Sequence, residues 1–202
     1  FMHSKRTFLA LPLIPVEPAA NKAKELKHLL RNYRIKWVDP ESYHLTLFFF
    51  GEVLVDQLAA LKDALRSAVD GIPAFSFALT DPGLFRRGRE PKVLWLGIDA
   101  PEILFELKKR IDREVAPLGF ISNEKLFNPH LTLGRFVPGQ TIKPSLNRAL
   151  TISRFPHPVQ YEAKEIVLFE SRLSSRGASY YPMETFSLRS ENNQSGDEGL
   201  EF

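Results

Sequence analysis

Apolar positions along this chain fall into two patterns. Short runs alternate with a period of two, and longer runs repeat at three and four residues. Thr7 to Ile14 is short and apolar, which predicts a buried strand. Pro18 suits the first turn of a helix, and Ala19, Ala23, Leu26, Leu29 and Leu30 give that helix one apolar face. Tyr43 to Gly51 is aromatic and rich in strand formers, with Gly51 expected to close it. Leu58, Leu61, Leu65 and Val69 mark a helix from Asp56 to Val69, stopped by Gly71-Ile72-Pro73. Phe75, Phe77 and Leu79 alternate with Ser76 and Ala78 as a half-buried strand, and Asp81-Pro82-Gly83 is expected to turn. Val93 to Ile98 predicts another strand, and Leu104, Leu107, Ile111 and Val115 a third helix ending near Pro117. Leu131 to Val137 predicts a strand ended by Pro138-Gly139, and Pro144 to Leu150 a short helix. Ile166 to Glu170 and Tyr180 to Leu188 complete the set as strands. Helices and strands mix without strict alternation, so the expected class is α+β with a mainly antiparallel sheet. Residues 1–189 are expected to form a single domain, and the polar tail 190–202 to be disordered.

Charge and composition narrow the chemistry. The 202 residues carry 27 Lys and Arg against 24 Asp and Glu, a formal net charge of +3. That is too little for wrapping a long duplex through many phosphate contacts, yet it allows a local basic cleft. The absence of cysteine excludes a disulfide scaffold, a thiolate zinc site and a cysteine nucleophile together. No apolar stretch reaches the ~18 residues of a transmembrane helix. Phe1 ahead of Met2 is set aside as an expression remnant, and Pro12 and Pro15 interrupt the apolar run that follows. The start therefore lacks a signal-peptide core, and a cytoplasmic protein is expected.

One tetrapeptide occurs twice. His44-Leu45-Thr46-Leu47 and His130-Leu131-Thr132-Leu133 are identical and lie 86 residues apart, each on a predicted strand that follows a strand and a helix. On a strand, residues i and i+2 share a face. Each copy therefore buries two leucines and offers one imidazole and one hydroxyl to the other side. If a pseudo-twofold axis relates the halves, the polar pairs face each other across one cleft. Facing histidines suit a reaction that needs an acid and a base in one step, because imidazole titrates nearest neutral pH. Two hydroxyls can hold the non-bridging oxygens of a phosphate between them. The arrangement fits in-line displacement at phosphorus, driven by positioning and electrostatics. A single His-x-Thr on a strand is most often structural; two copies in equivalent places change that balance. Two histidines without Asp, Glu or Cys at ligand spacing make a poor zinc site, so no metal is expected.

These segments, Tyr43-His44-Leu45-Thr46-Leu47-Phe48-Phe49-Phe50-Gly51-Glu52 and Pro129-His130-Leu131-Thr132-Leu133-Gly134-Arg135, resemble the paired signatures of the two-histidine (2H) phosphoesterases. They are most similar to the bacterial and archaeal RNA 2′,3′-cyclic phosphodiesterase branch, also called 2′-5′ RNA ligase. Arg6-Thr7-Phe8-Leu9-Ala10, Val93-Leu94-Trp95-Leu96-Gly97 and Leu168-Phe169-Glu170-Ser171 resemble further strands of that family, so the likeness spans roughly Arg6 to Leu188. Phe50, where leucine is more usual, is a mild departure away from the His-x-Thr face.

The resemblance implies a bilobal α+β fold with two pseudo-twofold-related lobes and outer helices around a central cleft, and no cofactor. It implies hydrolysis of RNA 2′,3′-cyclic phosphate ends to 2′-phosphomonoesters, with His44 the acid towards the 3′ oxygen and His130 the base that activates water. Run backwards with a 5′-hydroxyl, the same site would form a 2′-5′ linkage without ATP. The expected partners are RNA ends, tRNA fragments among them, with no membrane and a monomeric state.

Thr46 and Thr132 are the expected phosphate-binding hydroxyls. The resemblance adds Arg135 as a phosphate ligand, although its odd separation from His130 would turn it away on a regular strand unless the end of the strand or a bulge re-aims it. Phe8 is a candidate for stacking a base. Trp95 and Tyr43 are weaker candidates, and Arg86, Arg87 and Arg89 around Gly88 could guide an RNA strand. His3, His28 and His157 lack the Thr partner and carry no role. Two other readings compete: an enzyme of this fold acting on another cyclic nucleotide or on oligonucleotide 3′ ends, and a non-catalytic RNA-binding module.

Overall fold

The computed structural model describes residues 3–123, 126–175 and 177–190. Of the tail expected to be disordered, all but Ser190 lies outside the described residues. In chain order the elements are β1 (Ser4–Pro12), α1 (Glu17–Leu29), β2 (Ile35–Trp37), β3 (His44–Leu54), α2 (Leu58–Val69), β4 (Phe75–Arg87) and β5 (Glu90–Asp99). Then come α3 (Glu102–Val115), β6 (His130–Phe136), α4 (Pro144–Ile152), β7 (Val159–Ala163), β8 (Glu165–Ser174) and β9 (Gly177–Ser187). The expected α+β class is what is found. The strands form one nine-stranded sheet in the order β7-β4-β5-β6-β3-β1-β8-β9, with β2 attached to β6. Every pair of these strands is antiparallel.

The sheet divides into two halves of matching order, β3-β1-β8-β9 and β6-β5-β4-β7. In each half a strand, a helix and a second strand follow in sequence: β1-α1-β3 and β5-α3-β6. Helices pair in the same symmetric way, α2 against α3 and α1 against α4. At the middle of the sheet β3 and β6 meet at a single residue pair, Leu45 opposite Leu131. Both leucines are buried, as are Leu47 and Leu133, and all four join the core beneath the helices. Burying each one stabilises the fold by roughly 1.5–3 kcal/mol.

Beyond the seam the strands part. β6 continues against β2, with Trp37 opposite Gly134 and Ile35 opposite Phe136. Gly134 permits that approach, because a Cβ there would stand 2.6 Å from Ile35 Cγ2 and 3.2 Å from the Lys36 carbonyl oxygen.

Two local expectations are corrected. Gly51 does not close its strand: β3 continues to Leu54, and Gly51 (φ 73°) sits beside a bulge at which Thr7 faces Gly51 and Phe8 faces Phe49. Asp81-Pro82-Gly83 is not a turn but an interior stretch of β4. Pro82 falls at a register shift, where a missing N–H costs little, and the ring of Trp95 lies over Gly83 where a Cβ would stand. Two short strands are additional to those expected: β2, whose three residues are too few to show a period, and β7, whose Val159, Tyr161 and Ala163 alternate with Gln160 and Glu162.

The seam yields a stability prediction. Leu131→Ala should destabilise the protein by about 2–5 kcal/mol in urea titration. Glu162→Ala, on the exposed side of an edge strand, should stay within about 0.5 kcal/mol.

Candidate functional site

The pairing of Leu45 with Leu131 determines where the polar residues go. Extending that antiparallel register by one residue sets His44 beside Thr132 and Thr46 beside His130. All four occupy the face opposite the leucines, as the two-residue period predicts.

The two motifs share more than sequence. His44 Nδ1 lies 2.7 Å from the Ser42 carbonyl oxygen, and His130 Nδ1 lies 2.8 Å from that of Asn128. A carbonyl oxygen only accepts, so Nδ1 carries the proton on each neutral ring and Nε2 is left as the acceptor. In His44 that Nε2 stands 3.0 Å from Thr46 Oγ1, and the neutral ring accepts the hydroxyl proton.

Each strand is also bulged after its threonine. Leu9 and Ala10 of β1 face Phe48 and Thr46, skipping Leu47. Leu94 and Trp95 of β5 face Gly134 and Thr132, skipping Leu133. An extra residue inverts the parity of the strand beyond it. The second bulge therefore returns Arg135 to the face of His130 and Thr132, resolving the odd spacing. The first bulge does the same for Phe49, which holds the place in its motif that Arg135 holds in the other.

Beside this face lies a cleft of about 250 Å³ with Arg6, His44, Thr46, Phe49, Arg135 and Tyr180 among its walls, while His130 and Thr132 are not among the residues that line it. A larger hollow of about 590 Å³ lies between α2 and β9 against Arg66, Glu184 and Arg189, and none of the expected site residues reaches it.

The rings around each histidine differ. His44 packs on Phe8 (4.9 Å between centroids) and edge-on to Tyr180 (5.3 Å). His130 meets the edge of Phe85 (4.8 Å) and lies 6.5 Å from Trp95. Burial is the main cause holding the His44 pKa below the ordinary imidazole value; the hydrogen bond to Ser42 opposes it, and the charges of His130 and Arg135 add to it. In the free protein near neutral pH, His44 is accordingly the neutral ring.

Phe8 does not present itself for base stacking. It is 3% exposed, stacked on Phe169 (5.3 Å) and edged by Tyr180 (4.9 Å), so it forms the wall beneath His44. Phe49, 51% exposed in the same cleft, is the aromatic that sequence reasoning missed. Its signal was the five-residue offset from His44 that it shares with Arg135. Tyr43 is core, and burial, with Asp39 nearby, pushes its hydroxyl up to about 12. Arg86, Arg87 and Arg89 stand exposed at the β4–β5 hairpin tip. Among the described residues no group of three or more His, Cys, Asp or Glu could hold a metal ion. No helix among them is long and apolar enough to cross a membrane.

Comparison with known proteins agrees with this geometry. Residues 15–174 match the family model of the 2′-5′ RNA ligase superfamily. A protein of Thermotoga maritima named RNA 2′,3′-cyclic phosphodiesterase is 32% identical over 87% of this chain and 91% of its own. The structure of TT0787 from Thermus thermophilus superposes with a TM-score of 0.75 at 26% identity, covering 92% of this chain and 99% of that one. E. coli LigT complexed with 3′-AMP gives a TM-score of 0.69 at 26% identity, with the same coverage.

The electrostatics give a pH prediction. Arg135→Gln removes a positive charge that disfavours the His44 imidazolium, so the His44 pKa should rise, as read by NMR titration of the ring protons. Inorganic phosphate in the cleft should shift it the same way. The linkage has a definite sign: the unfolded chain holds the proton more tightly, so this contribution to stability is complete above about pH 6.5 and is lost as pH falls through the folded value.

Proposed function

The chain belongs to the 2′-5′ RNA ligase superfamily, and from that membership we propose that it hydrolyses 2′,3′-cyclic phosphate ends of RNA to 2′-phosphomonoesters. The observation that supports this reading is the pair of histidines, each fixed through Nδ1 to a backbone carbonyl and both set on one face of the sheet by the Leu45–Leu131 register.

A cyclic phosphate between the two His-x-Thr pairs meets every group the reaction needs. The Thr46 and Thr132 hydroxyls and the Arg135 guanidinium hydrogen-bond the non-bridging oxygens. Water gives a proton to His130 Nε2 as its oxygen bonds to phosphorus. The bond from phosphorus to O3′ breaks on the opposite side, and His44 Nε2–H protonates the departing oxygen. The product keeps its phosphate on O2′. His44 is neutral in the empty cleft, so its proton has to arrive with the substrate, and the phosphodiester's negative charge favours that uptake. A 5′-hydroxyl in the place of water follows the same path, giving its proton to His130 as O3′ departs, and joins two ends through a 2′-5′ bond without a nucleotide cofactor.

We take the reaction to be metal-independent, since the charge on phosphorus is met by Arg135, two hydroxyls and an imidazolium. A cleft built within one chain argues for a monomer, and ends of RNA as substrate argue for a cytoplasmic site of action.

A short RNA ending in a 2′,3′-cyclic phosphate tests the proposal in the presence of chelator. The expected product is a 2′-phosphate, identified by chromatography against 2′ and 3′ standards. His44→Ala and His130→Ala should each slow turnover by roughly 10²–10⁴. Thr46→Ala and Thr132→Ala should cost less. A histidine variant with near-normal turnover, or activity lost to chelator and restored by metal, would sink the mechanism.

A further inference from the structure

The two motifs differ at the fifth residue after each histidine. Where the second motif supplies Arg135, the first supplies Phe49, and the cation on that side comes instead from the neighbouring strand. Arg6 of β1 lies over the Phe49 ring, its guanidinium carbon 4.6 Å from the ring centre, and both line the cleft with His44.

Three observations distinguish Arg6 from a structural arginine. That ring is its one side-chain partner among the described residues. Its cross-strand neighbour Glu52 accepts instead from the Ser4 hydroxyl at 2.8 Å, so the guanidinium keeps its hydrogen-bond donors. Its place over the Phe49 ring holds it at the cleft without consuming those donors.

Along β1 Arg6 faces Glu52, whereas it is Pro12 that faces His44. Arg6 therefore stands off along the strand from the phosphate placed between the histidines. It lies one pleat repeat, about 7 Å, along β1 from Phe8, the wall under His44. That step is comparable to the separation of successive phosphates along an RNA strand.

We infer that Arg6, seated on Phe49, receives a second phosphate of the substrate: the one on the 5′ side of the nucleotide whose cyclic phosphate reacts. This rests on the reaction proposed above. A terminal cyclic phosphate has further phosphates only on its 5′ side, so a cation one step along the cleft meets the next of them. Arg6 is then a specificity residue that favours strand ends over free cyclic nucleosides, and the small net charge suits recognition by one or two such contacts.

Adenosine 2′,3′-cyclic phosphate with a 5′-hydroxyl, compared with the same nucleotide bearing a 5′-phosphate, isolates this contact. The wild-type protein should favour the 5′-phosphorylated form in kcat/KM by about tenfold, the worth of a half-exposed charge-assisted contact. Arg6→Gln should reduce that preference to about one, and Arg6→Lys should retain part of it. Arg135→Gln should lower both substrates while keeping their ratio. Equal loss on both substrates in Arg6→Gln, an unchanged preference, or no preference in the wild type would overturn the assignment. Equilibrium affinities for adenosine 2′,5′-bisphosphate against adenosine 2′-phosphate repeat the comparison without turnover. Failure of the hydrolysis and failure of the Arg6 site are thus separately visible.

Discussion

One backbone pairing, Leu45 with Leu131, sets β3 against β6, and the site depends on its register. The side-chain period of a strand is two, so a slip of one residue would put leucines in the cleft and imidazoles in the core. Four buried leucines oppose that slip with several kcal/mol of lost apolar burial, taken together. The register that keeps them inside also places each histidine beside the threonine of the other motif. Core packing and site geometry are therefore the same constraint seen from the two faces of the sheet. The brevity of the seam matters as much: the strands part after it, and the opening between them is where a phosphate can sit.

Near-symmetry of the backbone gives two histidines the same tautomer and the same aim, but an acid and a base need different surroundings. The difference comes from neighbouring strands. His44 is packed on Phe8 and Tyr180 and is close enough to Arg135 to feel its charge, whereas His130 meets Phe85 and Trp95. The matched bulges at Leu47 and Leu133 deliver unlike side chains, Phe49 and Arg135, to equivalent places. A duplicated framework thus supplies position, and the unduplicated residues around it supply polarity.

Much of this was legible in the sequence, for a physical reason. The repeated His-Leu-Thr-Leu carries both its burial pattern and its chemistry in four residues, and amphipathic runs such as Leu104, Leu107, Ile111 and Val115 mark their helices directly. What escaped was mostly bulges. A glycine or proline that tolerates an irregular strand looks, in sequence, like one that makes a turn, which is why Gly51 and Asp81-Pro82-Gly83 were misread. The same blindness made the side Arg135 faces uncertain and hid Phe49. Phe8 escaped differently: whether an aromatic on a strand is a wall or a platform depends on what the next strand brings, and here β8 and β9 cover it with Phe169 and Tyr180. β2 has three residues, too few for a period to be seen.

The hydrogen bond between His44 Nε2 and Thr46 Oγ1 links protonation to binding. While the ring is neutral, Nε2 accepts the threonine proton, so the hydroxyl points its hydrogen at the histidine and has none to offer a phosphate. Once the ring is protonated the bond reverses: Nε2–H donates to Oγ1, and the hydroxyl hydrogen is released towards the cleft. An anion arriving there gains a donor and a positive charge together, while an empty cleft favours neither. On the proposed division of roles, the acid is thereby loaded by the substrate it will protonate. The proton rests against Thr46 until O3′ develops the charge to take it. Burial of His44, which disfavours its charged form in the absence of ligand, is what keeps this coupling tight.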